Sequence, residues 1–314
     1  MAMLSKILLS LLCLGLFSCS QESTIIEGEE MTISYRIIIG KSLSVKEKRE
    51  LSQQIRGCFH RINSIYNNWN PDSELSIINR APAGIPITLS TELAGFLNEV
   101  DKIYKLSEGR FDPTLGHLKT LWILYLKRQV LPPQAVWEEH YKEIGWKHLT
   151  FNFETKSLIK NHPEVQLDLC GIVKGYAVDC LNEICKNVCP NNYVEWGGEI
   201  KTSGHHPSGR PWRVFSTATS EILDINNIGI ATSGNDFQKW FINGKTYTHI
   251  LDPQTGKPLE LTTYPIQSVS VVHPSCTYAD AIATILMTFT SKAEAKRWAE
   301  EHHFLAYIND NASS

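Results

Sequence analysis

The chain has 314 residues, 42% hydrophobic and 20% charged, and no low-complexity tract, which excludes a disordered or fibrous polypeptide. At this length a chain buries roughly three quarters of its extended surface, enough for one large core or two smaller ones without disulfide staples. Lys+Arg 30 against Asp+Glu 33 gives a net charge of -3. There is no basic excess to neutralise a phosphate backbone, so the composition argues against a nucleic-acid partner.

The first residues differ from the rest: Lys6, an apolar run from Ile7 to Phe17, then Ser18 and Cys19. The run is too short to span a bilayer core of about 30 Å, which needs around 20 residues, so it reads as an export signal. Leu16 to Cys19 resembles a bacterial lipoprotein box, in which cleavage leaves a lipidated cysteine at the new N-terminus. The expected division is a signal peptide over 1–18, a polar linker over 19–30 and one domain over 31–314. The expected location is outside the cytoplasm, lipid-anchored to a membrane and facing the periplasm.

Within the domain, Met31 to Ile39 predicts a strand. Leu51, Ile55, Cys58, Ile62 and Ile65 recur at helical spacing and predict one buried stripe on a helix over 45–66. Asn68 to Glu74, with Pro71 and Trp69, breaks that pattern, and a second helix runs over 91–106. His148 to Lys160 predicts a hairpin, and Val165 to Leu169 a short apolar strand leading through Cys170 and Gly171 into a helix over 172–188. Further strands follow, with Asn243 and Gly244 as a two-residue turn between two of them. Helices return over 277–289 and 291–302, and a last strand closes the chain. Hairpins with mixed element order predict an α+β fold with mostly antiparallel sheets and packed helices, in one domain. Cys180, Cys185 and Cys189 have spacings that do not converge on one ion and read as small buried hydrophobes.

Four constellations carry chemistry. Asp168 to Asp179 places Lys174 between Gly171 and Gly175 at the mouth of a helix, where free N–H groups and the dipole attract anions; a plain surface lysine beside a turn gives the same pattern. Asp280 and Thr284, four apart on one helix, offer two oxygen donors suited to Mg²⁺, although Asp280 also suits the helix dipole without any metal. His249, with Asp252 three residues on, stands at a strand end where an imidazole can act as a general base or can simply hold a turn. Arg110, Phe111 and Asp112 lie between a helix and a loop, and Trp69 offers a flat face to a ring ligand.

Taken together and in this order, these motifs from Met31 to about Ile308 resemble the ApbE family of flavin transferases, a T-fold-related α+β domain that moves FMN from FAD onto a protein threonine or serine and releases AMP. What the resemblance implies falls on particular residues. FAD, as substrate, would contact Met31, Trp69, Arg110, Phe111, Asp112, Asp168, Lys174 and Ile250. Mg²⁺ would be held by Asp280, Thr284 and the carbonyls of Gly171 and Ala283. His249, assisted by Asp252, would deprotonate the incoming hydroxyl. The partner would be an acceptor protein with a target Thr or Ser, such as a membrane redox-complex subunit. Two alternatives use the same site: an FAD pyrophosphatase giving FMN and AMP, and a flavin-binding lipoprotein without turnover.

Overall fold

The computed structural model describes residues 22–235 and 238–310. The expected signal peptide and Cys19 lie outside them. Among the described residues, no helix is long and apolar enough to cross a membrane.

The backbone of the fold is a seven-stranded sheet whose strands follow chain order: Thr24–Glu30, Ile33–Ile39, Asn192–Trp196, Glu199–Ser203, Gly229–Gly234, Ile266–His273 and Leu305–Asp310. Every neighbouring pair is antiparallel. The α+β expectation therefore holds, and all the helices are excursions between these strands.

The Val45–Tyr66 helix forms where its apolar stripe predicts, and a capping box starts it. Ser44 Oγ accepts from the Glu47 N–H at 3.3 Å while Glu47 Oε2 accepts from the Ser44 N–H at 2.8 Å. Leu51, Ile55, Cys58, Phe59, Ile62 and Tyr66 are buried, each large apolar side chain contributing about 1.5–3 kcal/mol by leaving water. This helix packs on Val173–Lys186, which in turn packs on Cys276–Met287 and the sheet. The other sheet face is covered by the hairpin Trp212–Ser216/Glu221–Ile225, which buries Trp212, Val214 and Ile225 against Ile200, Ile230 and Val272. A satellite core of Leu118, Trp122, Trp137, Ile144 and Leu251 joins the helices Gly116–Lys127 and Gln134–Glu143 to a small three-stranded sheet.

Three expectations need correction. The linker over 19–30 contains a strand: Thr24–Glu30 pairs along its whole length with Ile33–Ile39, and Met31 and Thr32 form the turn, at φ 52° and 63°. Such a turn usually announces itself with Asn or Gly, and this one does not. The Asn68 to Glu74 break is followed at once by a short helix, Glu74–Arg80, capped by the Ser73 side chain. Val165 to Leu169 is extended and alternately buried, but it is not a strand. Among the described residues its one ladder contact is a bridge, Leu115 to Gln166, and the Asn79 side chain takes the Leu167 N–H and C=O, at 2.7 and 2.9 Å. The buried Lys160 ammonium donates to the Val165 carbonyl, and the Asp168 N–H donates to the Pro113 carbonyl at 2.7 Å. Side chains and loop backbone thus replace a sheet neighbour and fix the approach to Asp168.

The other predicted elements form within a residue or two, including the hairpin Leu149–Asn152/Ser157–Lys160 and the Asn243–Gly244 turn, at φ 51° and 79°, whereas the helices Gly116–Lys127 and Gln134–Glu143 had no counterpart in the sequence reading. Cys185 and Cys189 are buried and Cys180 is half-buried; all three are free thiols.

Candidate active site

A cavity of about 340 Å³ opens between the main core and the satellite core. Its walls come from the loop Arg110–Leu115, Lys119, the Asp168–Lys174 turn, Gly197, Thr232–Gly234, Gln238, the His249–Leu251 strand, and Asp280, Thr284 and Thr288. Six separate stretches of sequence therefore converge on one space.

Two helices meet at the floor. A Cβ on Gly175 would lie 2.2 Å from the Cys276 carbonyl oxygen and 2.9 Å from Asp280 Cβ, so only glycine lets them approach this closely. The approach brings the Gly175 N–H within 3.0 Å of Asp280 Oδ2. The helix carrying Asp280 is held from below by Asp179, whose carboxylate accepts from the N–H groups of Cys276 and Thr277 and from the hydroxyls of Ser275 and Thr277. On the cavity side, Thr284 Oγ1 lies 3.3 Å from Ser233 Oγ, and a Cβ on Gly171 would come 3.1 Å from it.

Charge is paired around this floor. Lys174 Nζ donates to Glu199 Oε1 at 2.5 Å, and Glu199 is only 1% exposed. Burial pushes the Glu199 and Asp280 carboxyls above the usual carboxylate range, and the Lys174 ammonium pulls both back. Burial also works against the charge on Lys174, but the Glu199 and Asp280 carboxylates outweigh it and hold the ammonium above its ordinary value. A second pair stands across the cavity, Lys119 Nζ to Asp168 Oδ2 at 2.7 Å, with the Cys170 N–H on Asp168 Oδ1 at 2.9 Å. Burial raises the Asp168 pKa, but Lys119 and that N–H lower it further.

His249 enters the cavity because its strand is irregular. The pairing of Lys245–Asp252 with Lys257–Glu260 shifts register between Tyr247 and Leu251, and the consecutive residues His249, Ile250 and Leu251 all line the cavity. The ring is largely buried, its Nδ1 has no hydrogen-bond partner among the described residues, and the Gln238 backbone meets the imidazole. Burial, then the Lys119 ammonium, pushes its pKa down to about 4, with a smaller push from Lys174. At neutral pH it is the free base, the form that accepts a proton.

The depressed value has a consequence for stability. An unfolded histidine titrates near 6.5, so between about pH 6.5 and about 4 the unfolded chain binds more protons at this position and the fold loses stability as pH falls. His249→Asn is expected to lose less stability than the parent over that window, by about 3 kcal/mol at most. Urea unfolding at pH 7 and pH 4.5 measures it; equal losses in the two proteins would show that this ring is not buried as a neutral base.

The family model for ApbE matches residues 30–308. The chain belongs to the ApbE family. It is 74% identical over 314 residues to an FAD:protein FMN transferase of Chlamydia pneumoniae, covering 100% of both chains, and 54% identical over 298 residues to one of Chlamydia muridarum, covering 95% of this chain and 94% of that one. The solved flavin transferase ApbE from Vibrio cholerae superposes with a TM-score of 0.80 at 28% identity, covering 91% of this chain and 93% of that chain.

Most of the residues singled out by the ApbE resemblance line the cavity: Arg110, Phe111, Asp112, Asp168, Gly171, Lys174, His249, Ile250, Asp280 and Thr284. Within that set the roles separate. Asp112 accepts from the Thr114 and Trp146 N–H groups and the Thr114 hydroxyl, so it braces the loop. The Arg110 guanidinium lies 4.2 Å above the Phe289 ring and donates to the Thr288 carbonyl at 3.4 Å, at the cavity rim. Ala283 is fully buried between Asp280 and Thr284, behind the wall.

Three members stand elsewhere. Trp69 is 89% exposed and outside the cavity, because the Asn67 side chain holds its loop on the surface, accepting the Trp69 N–H at 3.0 Å. Met31 occupies the turn between the first two strands, half-buried, and is not among the residues lining the cavity. Asp252 does not reach His249. Its carboxylate accepts from the Gln254 N–H at 2.9 Å, the Thr255 hydroxyl at 3.0 Å and the Tyr264 hydroxyl at 2.7 Å, which is the work of a turn. Asp252 thereby fixes the strand end that carries His249, and does not share its proton.

Residues missed from sequence are Lys119 and Glu199. Glu199 begins the strand after the Gly197–Gly198 turn, at φ 65° and 100°, and that pair of glycines was the available signal for a hairpin.

Proposed function

We propose that the protein transfers FMN from FAD to a threonine or serine hydroxyl of an acceptor protein, releasing AMP. The observation that supports this best is the convergence on one cavity of an imidazole held as the free base with its Nδ1 uncommitted, two lysine–carboxylate pairs and an oxygen-donor cluster. His249 accepts the proton of the incoming hydroxyl, whose oxygen forms a new bond to the FMN-side phosphorus. The bond from that phosphorus to the oxygen of the AMP phosphate breaks, and AMP leaves. Lys174 and Lys119 face the diphosphate with positive charge already oriented by Glu199 and Asp168, so little reorganisation accompanies the reaction. In-line transfer of this kind rests mainly on positioning and electrostatics.

The residues present fit Mg²⁺. Asp280 commits one oxygen to Gly175 and the other takes no hydrogen bond from the described residues, Thr284 adds a hydroxyl beside it on the same helix face, and the backbone of Gly171 adjoins Thr284. All are hard oxygen donors, and the Gly171 carbonyl would add to them; Ala283, behind the wall, would reach the ion only through its backbone carbonyl. When bound, Mg²⁺ supplies neutralisation of the diphosphate and of the charge developing on the leaving phosphate.

Incubation with FAD and Mg²⁺, with and without acceptor protein, separates transfer from hydrolysis: AMP is expected in step with acceptor, and rapid AMP release without acceptor would favour the pyrophosphatase. Trp69→Ala is expected to leave FAD affinity within about twofold, because an aromatic ring that exposed contributes no buried stacking. A loss of about 1 kcal/mol or more in fluorescence titration would instead mean that the loop folds over the ligand.

The protein is proposed to be exported and anchored through Cys19. The support is the short apolar run ending at Ser18 and Cys19. Cys19→Ala is expected to abolish acylation in intact-protein mass spectra, and cleavage of the parent elsewhere with a free Cys19 thiol would overturn the anchor.

A further inference from the structure

Behind the cavity wall the structure gathers a second set of metal-ligating side chains, separate from the Asp280–Thr284 helix. His117 stands in the first turn of Gly116–Lys127, and His140 and Glu143 in the last turn of Gln134–Glu143. Ligand atoms of these three lie within 4.8 Å of one another. Residues two apart on a helix point about 200° apart. Lys119 therefore lines the cavity while His117 meets His140 on the opposite face, ring centroids 4.6 Å apart.

Two observations set this cluster apart from a chance meeting of polar side chains. His140 Nδ1 and Glu143 Oε2 are both buried and neither has a hydrogen-bond partner among the described residues, although they lie 3.8 Å apart. Buried lone pairs turned towards one another are costly unless a proton or a cation joins them. The flanking residues then orient the set. Glu164 Oε2 sits 3.0 Å from His117 Nδ1, which leaves Nε2 as the free ring nitrogen. His162 Nδ1 accepts the Glu164 N–H at 3.3 Å, which puts its ring proton on Nε2, 3.9 Å from Glu143 Oε1. A carboxylate behind one ligand and an imidazole behind another are the outer partners that metal ligands carry.

We propose that His117, His140 and Glu143 form a site for a divalent transition cation of the zinc class, with a fourth position open to water. Two imidazoles and one carboxylate suit Zn²⁺ and not Mg²⁺ or Ca²⁺, which take oxygen donors. Tetrahedral Zn²⁺ with bonds of about 2.0–2.1 Å sets its ligand atoms about 3.3 Å apart, so the three side chains close in by rotation on two helix ends. The cation would tie both helices and, through Glu164, the segment running into Asp168. These are the elements that present Lys119 and Asp168 to the cavity.

The test uses the whole exported chain, stripped with chelator and kept reduced in excess Mg²⁺, which occupies the oxygen-donor site. Titration with Zn²⁺ against a fluorescent zinc chelator is expected to show one tight equivalent, weakened at least tenfold by His140→Ala and by Glu143→Gln and unchanged by Asp280→Asn. Zn²⁺ should raise the Tm of the parent and not of His140→Ala. The Co²⁺-loaded parent should show visible d–d bands without the near-ultraviolet absorption of thiolate ligation. Glu143→Gln, nearly isosteric, carries the test if His140→Ala fails to fold. Absence of a retained equivalent, equal retention in both variants, or thiolate bands would overturn the site.

Discussion

Replacing His249 with alanine is expected to slow FMN transfer by about 10²–10⁴-fold while leaving FAD affinity nearly unchanged. A general base interacts with a proton that moves only in the transition state, so its loss falls on the rate of the chemical step and not on ground-state binding. The environment of the ring points the same way. Its Nδ1 has no partner among the described residues, and burial and Lys119 keep it unprotonated. A histidine that served only to hold the turn would have its nitrogens committed there. In this protein the turn is held by Asp252, with Tyr264, Thr255 and Gln254. Single-turnover transfer beside FAD fluorescence titration, on a variant shown folded by circular dichroism, separates the cases. Parent-rate transfer would remove His249 from the chemistry, and a parallel fall in binding and rate would return it to a structural role.

The second large effect is expected at Asp280. Asp280→Asn keeps an oxygen acceptor for the Gly175 N–H, so the packing of the two helices at the cavity floor is preserved. It removes the negative charge that holds a cation. Transfer should fall by about 10²–10³-fold or more, the scale of losing preorganised charge stabilisation, and the Mg²⁺ concentration giving half-maximal rate should rise. Thermal stability should hold or increase, because a buried carboxylate that burial alone disfavours has been neutralised. An unchanged rate with an unchanged Mg²⁺ curve would contradict the assignment of oxygen ligands to this helix.

The sequence shows most plainly what local physics alone determines. The 45–66 helix was legible because its apolar stripe keeps helical spacing over its length, and the Asn243–Gly244 turn because both residues accept positive φ. The Thr24–Glu30 strand was not, since its partner is announced only by a Met–Thr turn that carries no turn signature. Val165 to Leu169 alternates like a strand yet finds its partners in Asn79 and Lys160, which no local pattern foretells. The site divides along the same line. Motif order brought out Asp168, Lys174, His249, Asp280 and Thr284, each of which faces the cavity. Lys119 and Glu199 escaped because their significance lies in pairing with Asp168, 49 residues away, and Lys174, 25 residues away, and tertiary pairing has no sequence period. Asp252 shows the opposite error: proximity to His249 in sequence suggested partnership, and the bulge that turns His249 inward leaves Asp252 facing Tyr264.

The most direct test of FMN transfer at this cavity is the intact mass of an acceptor protein after incubation with the enzyme, FAD and Mg²⁺, with the nucleotide products resolved in the same sample. The account predicts an acceptor heavier by one esterified FMN, an equal amount of AMP, and neither product when the acceptor's target hydroxyl residue is replaced by alanine. An acceptor of unchanged mass beside free FMN and AMP, or FAD recovered intact, would contradict it.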